Sequence, residues 1–109
     1  MNFAYHVTPR RNLDSILKKG IRKQCGDNRV DDTELGDAVF LFPDEESLYA
    51  GLDEWMFETY EGEPLYCLVI DITGLEPIKN HLIFGSEELA FDESIPSSRI
   101  KGIIKIEQR

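Results

Sequence analysis

The sequence predicts a single α+β domain, and two kinds of pattern support this class. Short segments near both ends of the chain alternate apolar and polar residues, as strands do, whereas two other segments repeat apolar residues at helical spacing. These segments follow one another as a strand, a helix, a long loop, a strand, a helix and four further strands. With 109 residues, 41% of them hydrophobic, the chain is long enough for one core and too short for two domains.

The first elements are a strand and a short amphipathic helix. Residues 2–7 predict the strand, because aromatic residues alternate along them. Thr8 and Pro9 suit the N-cap and first position of the helix, and Gly20 ends it after two lysines. Residues 25–37 contain many turn residues and almost no apolar periodicity, so we expect a long loop that acts as a flap over a site.

A second helix follows a buried strand in the middle of the chain. Residues 38–42, AVFLF, predict the strand, and Pro43 with three acidic residues after it predicts the start of the helix. The inner stripe of this helix is predicted to be Leu48, Leu52, Trp55 and Met56. Residues 65–72 form the strongest strand pattern and are expected at the centre of a sheet. Three further strands are predicted around residues 81–84, 88–92 and 99–106.

Charge is distributed unevenly along the chain. Residues 1–26 hold six basic groups and one acid, whereas residues 27–63 hold thirteen acids and one basic group, and the net charge is −9. This balance opposes tight binding of DNA or RNA, because phosphate binding needs basic contacts. The basic N-terminal stretch can still hold a small anion locally. The acidic middle is interpreted as a solvated surface, and a protein-docking or DNA-mimicking face is the alternative.

Membrane insertion and metal binding find no support in the sequence. No apolar run approaches the roughly 20 residues that cross a bilayer, and the start of the chain lacks a signal pattern, so we expect a cytoplasmic protein with no membrane partner. Cys25 and Cys67 form no CxxC pattern, so neither a disulfide framework nor a cysteine zinc site is expected. We interpret both cysteines and His81 as structural.

The order of several segments resembles a known enzyme superfamily. The chain is similar to the ADP-ribosyltransferases, in the branch with the poly-ADP-ribose polymerases, DNA-modifying toxins and tRNA 2′-phosphotransferases. The similar segments are YHVT, NLDSILKKGI, GDAVFLFPDEESLYA, VIDI and EELAFDESIPSSRIKGI, which together cover nearly the whole chain. The resemblance implies an ADP-ribosyltransferase-like split antiparallel β-sandwich with two short helices, in which NAD lies between two small sheets.

The first family motif is a His on the first strand, followed two residues later by Ser or Thr. His6 and Thr8 match this spacing, which implies that His6 holds the adenosine ribose and that Thr8 lies at the nicotinamide end. An imidazole held in one tautomer can serve a ribose hydroxyl. The start of the first helix offers donors and positive charge to the pyrophosphate, and either Arg10 or Arg11 could serve there. A core or surface role for His6 and a capping role for Thr8 are the alternatives.

The second motif is a Gly-x-Gly-Ile-Tyr-Phe-like strand, and the third is a glutamate before an Ile-Pro turn. Phe40 stands where the family has its tyrosine. Its phenyl ring can still contact the nicotinamide, but it lacks the tyrosine hydroxyl. Tyr49 is similar in place to an aromatic residue that covers the nicotinamide, and a core position is the alternative for both rings. Glu88 is similar to the catalytic glutamate that stabilises the oxocarbenium-like cation, with Glu87 as its neighbour on the opposite strand face.

The resemblance implies an enzyme that uses NAD as a substrate and transfers ADP-ribose to an unknown acceptor. The acidic surface favours a protein side chain or a small molecule over nucleic acid as that acceptor. One alternative is a non-enzymatic docking or inhibitor module on the same scaffold, with residues 44–63 as its acidic face. Two departures from the family pattern, Phe40 and Val7, favour this alternative. The second alternative is a small α+β domain whose similarity to the ADP-ribosyltransferases is accidental.

Overall fold

Six strands and three helices make up the part of the chain that the structure, a computed structural model, describes: residues 2–22, 38–83 and 86–106. The strands are β1 (Phe3–Pro9), β2 (Val39–Leu41), β3 (Leu65–Asp71), β4 (Lys79–Ile83), β5 (Ser86–Phe91) and β6 (Ile100–Ile106). The helices are α1 (Arg10–Lys19), α2 (Glu45–Gly51) and α3 (Phe57–Thr59). A π-helical turn, Leu52–Met56, joins α2 to α3, and a 3-10 turn, Ser97–Arg99, precedes β6. The predicted flap at residues 25–37 lies outside the described residues.

The strands pair into two antiparallel sheets of three strands each. The first sheet has the order β1-β3-β6, and the second has the order β2-β5-β4. Strand β3 is central in its sheet, which confirms the prediction from its long apolar run. The α+β class is also confirmed. Within the described residues, none of the helices is long and apolar enough to cross a membrane.

Within the described residues, one bridge of backbone hydrogen bonds connects the two sheets. Tyr5 on β1 and Phe42, just beyond β2, each donate their N–H to the other's carbonyl oxygen at 2.8 Å. We call the Tyr5–Phe42 pair the sheet junction.

Two clusters of buried residues cover opposite faces of the first sheet. The first cluster draws on both sheets, with Leu68 and Ile70 from β3, and α1 packs Leu13 and Ile16 against it. The second cluster takes Leu65 and Cys67 from the other face of β3 and packs them against α2 and the π-helical turn. Because successive residues of a strand point to opposite faces, β3 contributes to both clusters.

Helix α1 begins one residue later than the sequence predicted. Thr8 continues β1 and pairs with Tyr66 of β3, while Pro9 occupies the N-cap position and makes no side-chain cap hydrogen bond. The prediction of Thr8 as the N-cap is therefore wrong. Its hydroxyl donates instead to the carbonyl oxygen of Pro9 at 3.2 Å, and strand pairing holds its backbone extended. The predicted end of the helix at Gly20, after two lysines, is confirmed.

The second helical segment starts as predicted but is not one continuous α-helix. Asp44 caps α2 by accepting the Ser47 N–H at 2.7 Å, and two further acids lie in the first turn, where the helix dipole favours them. The buried residues along the segment are Leu48, Leu52 and Met56. They recur every four residues, a spacing that places them on one side of the helical segment. The side chain of Trp55, also predicted in this stripe, is not among the described ones.

Candidate functional site

His6 lies in the middle of β1, one residue from the sheet junction. Its Nδ1 lies 3.5 Å from the carbonyl oxygen of Phe40 on β2, a long hydrogen bond between the two sheets. A carbonyl oxygen can only accept, so Nδ1 carries the proton in this contact and Nε2 is left as an acceptor. Burial lowers the pKa of His6 to about 4, and the hydrogen bond to Phe40 opposes this shift only in part. The ring is therefore neutral at physiological pH.

Phe40 and Glu88 lie close together in the second sheet. Phe40 pairs with Ala90 on β5, and Glu88 is two residues along the same strand, so both side chains are on one face of the sheet. Glu88 is only 7% exposed, which is unusual for an acid. Phe40 itself is partly exposed.

Glu87 and Glu88 have different surroundings, as their positions on opposite strand faces predicted. The Glu87 carboxylate accepts a hydrogen bond from Asn80 Nδ2 at 2.8 Å, and the Glu87 N–H donates to Ser47 Oγ at 3.2 Å. Glu88 pairs through its backbone with His81 on β4. Glu87 is therefore held by structural contacts at both its backbone and its side chain, and Glu88 is the buried carboxylate of the two.

The strand register does not bring His6 and Glu88 to one face. Leu41 and Leu89 of the second sheet belong to the first core cluster, so Glu88 and Phe40 point away from that cluster. His6 alternates with Ala4, which lies in the first cluster. The structure therefore directs the His6 and Glu88 side chains to different sides and does not bring them together on one face.

The start of α1 is already occupied by contacts within the protein. The Arg10 N–H donates to the carbonyl oxygen of Pro64 at 3.0 Å, and Arg10 Nη1 donates to the Tyr66 hydroxyl at 3.3 Å. Arg11 pairs with Glu63, with 3.2 Å between Nε and Oε1. An anion at this helix start would compete with the Glu63 carboxylate for Arg11, which leaves the exposed Arg10 as the better candidate of the two.

Thr8 and Tyr49 differ sharply in exposure. Thr8 is 2% exposed at the end of β1, next to the first turn of α1, and its hydroxyl proton is engaged by Pro9. Tyr49 on α2 is 59% exposed. The alternative of a core role for Tyr49 is therefore wrong, because the residue is largely exposed.

Sequence reasoning missed Ser47, which connects α2 to the strand that carries Glu88. A serine at the third position of a capped helix is an ordinary helix-start residue, so nothing local indicates a contact 40 residues away. Within the described residues, no group of three or more His, Cys, Asp or Glu side chains could hold a metal ion. No family model matches the chain, and no curated protein matches it, so the geometry around the sheet junction is the basis for a function.

Proposed function

We propose that the protein is an NAD-binding, ADP-ribosyltransferase-like enzyme that transfers ADP-ribose to a protein side chain or a small molecule. The observation that carries this proposal is the neutral His6 ring bonded to Phe40 between two small antiparallel sheets, with the buried Glu88 beside Phe40 in the second sheet. The order of the three residues along the chain, on the first, second and fifth strands, agrees with the family pattern described above.

His6 and Arg10 supply the polar contacts for the adenosine half of the cofactor. With its Nδ1–H directed to Phe40, His6 presents Nε2 as an acceptor for a ribose hydroxyl. A ring whose pKa is about 4 keeps this acceptor free of a proton at neutral pH. Arg10 is exposed at the start of α1, where its guanidinium can leave Tyr66 and bind the pyrophosphate.

The remaining residues act on the nicotinamide half. Phe40 and the exposed Tyr49 provide aromatic surface for the nicotinamide ring, whereas the buried Thr8 supports the end of β1. In the reaction the bond between nicotinamide and C1 of the ribose breaks, and its electron pair leaves with nicotinamide. The Glu88 carboxylate accepts a hydrogen bond from a hydroxyl of that ribose and stabilises the positive charge until the acceptor bonds to C1 and releases its proton to solvent.

Calorimetric titration with NAD, together with measurement of nicotinamide release, tests this proposal. We expect His6→Ala to abolish NAD binding. Glu88→Gln should leave binding intact and lower the release rate about 10²- to 10³-fold, as the loss of one transition-state contact does. Glu87→Gln is the matched control, since it changes the neighbouring carboxylate on the other strand face. Failure of NAD to bind at millimolar concentration would contradict the proposal.

A docking module is the second candidate function, and the exposure of the acidic segment favours it. Residues 44–63 contain no basic residue, and six of their acids are exposed: Asp44, Glu45, Glu46, Asp53, Glu58 and Glu61. A basic partner could bind this face electrostatically. In that case Glu88→Gln should have no effect on partner binding, whereas Glu58→Lys with Glu61→Lys should weaken it.

A further inference from the structure

The strand that carries Glu88 extends beyond its neighbour in the second sheet. Strand β2 pairs only with residues 89–91 of β5, so the first three residues of β5 have no β2 partner. The carbonyl oxygen of Ala90 accepts the N–H of Ile78, on the β4 side of β5. Because backbone groups alternate between the two sides of a strand, the Glu87 N–H points to the β2 side, beyond the end of β2.

The Ser47 hydroxyl takes the place of the missing strand at this position. Ser47 is 7% exposed, and its Oγ accepts the Glu87 N–H at 3.2 Å. A buried N–H without an acceptor would cost about 1–3 kcal/mol, so the contact secures the backbone next to Glu88. Ser47 is itself held by the helix cap, since its own N–H donates to the Asp44 carboxylate at 2.7 Å.

We propose that Ser47 is a positioning residue, which fixes the Glu87–Glu88 segment of β5 and thereby the placement of the Glu88 carboxylate. This inference rests on the function proposed above, in which Glu88 stabilises the transition state. Pairing with β4 holds one side of this segment, and the Ser47 hydroxyl holds the side that faces β2. A small displacement of a catalytic carboxylate is enough to lower the rate without lowering the affinity for the substrate.

Two readouts on Ser47→Ala test the positioning role. We expect nicotinamide release to show a kcat about tenfold lower with an unchanged KM for NAD, and Ser47→Thr, which keeps a hydroxyl, to restore it. By NMR, the Glu87 amide should exchange faster with solvent in Ser47→Ala, and the titration of the Glu88 carboxyl should shift. Ser15→Ala, at an exposed serine on α1, is the matched control and should change none of these quantities.

The NMR readout separates a failure of this inference from a failure of the proposed function. If Glu88→Gln releases nicotinamide as fast as the unaltered protein, the proposed catalytic role of Glu88 is wrong. A shifted Glu88 titration in Ser47→Ala would still support positioning of the carboxylate in that case. An unchanged Glu88 titration together with an unchanged kcat in Ser47→Ala would overturn the inference.

Discussion

At the scale of the residue, His6 couples the stability of the fold to pH. In the unfolded chain its pKa is close to 6.5, whereas burial lowers the pKa to about 4 in the folded protein. Between these values the unfolded chain binds more protons, so the free energy of unfolding falls as the pH drops from 6.5 to 4, by at most about 3 kcal/mol. Urea titrations at several pH values on the unaltered protein and on His6→Asn measure the free energy of unfolding. In the variant this free energy should not show the fall between pH 6.5 and 4 that His6 causes. An equal pH dependence in both proteins would contradict the role of His6.

Cys67 gives a second prediction at the residue scale. The thiol is 2% exposed on β3, and burial together with the nearby Glu45 raises its pKa to about 11. At pH 8 only about one thiol in a thousand is then ionised, and the thiolate is the reactive form. In a Cys25→Ser variant, Cys67 should react with a thiol reagent at least about 100-fold more slowly in the folded protein than in urea. Similar rates in the two conditions would show that Cys67 is accessible and ionised.

At the scale of the element, the end of α1 depends on a glycine that lies close to the backbone of Ile95. Gly20 has a φ of 82°, and a Cβ at this position would overlap the carbonyl oxygen of Ile95, which accepts the Ile21 N–H at 2.8 Å. We expect Gly20→Ala to lower the free energy of unfolding by about 3 kcal/mol or more, because backbone strain and overlap act together. Gly62→Ala is the control: its φ is 78° but its Cβ would meet open space, so about 1 kcal/mol is expected. Chemical denaturation measures both; equal losses would mean that overlap with Ile95 is unimportant.

The elements that local pattern determines were predictable, and those that depend on distant contacts were not. The apolar run of β3 predicts a central strand because both of its faces must be buried, and the lysines before Gly20 predict the end of α1. Thr8 suits both a strand and an N-cap, and its pairing with Tyr66 is what makes it part of β1. The contact of Ser47 with Glu87 joins residues 40 positions apart, and no local pattern encodes this contact or the burial of Glu88.

At the scale of the whole molecule, charge is separated between the basic start of α1 and the acidic segment at residues 44–63, within a net charge of −9. Like charges repel in the compact state, and salt screens this repulsion over about 8–10 Å. The double variant Glu58→Lys with Glu61→Lys, both at exposed positions, should therefore raise Tm by a few degrees in low salt, and the gain should shrink at 0.5 M NaCl. Asp14→Lys is the opposing control: Asp14 lies one helical turn from Arg10 and Lys18, so its reversal should lower Tm. Thermal unfolding at both salt concentrations shows whether each variant raises or lowers Tm. If the double variant still raises Tm in high salt, long-range repulsion is not the cause of the increase.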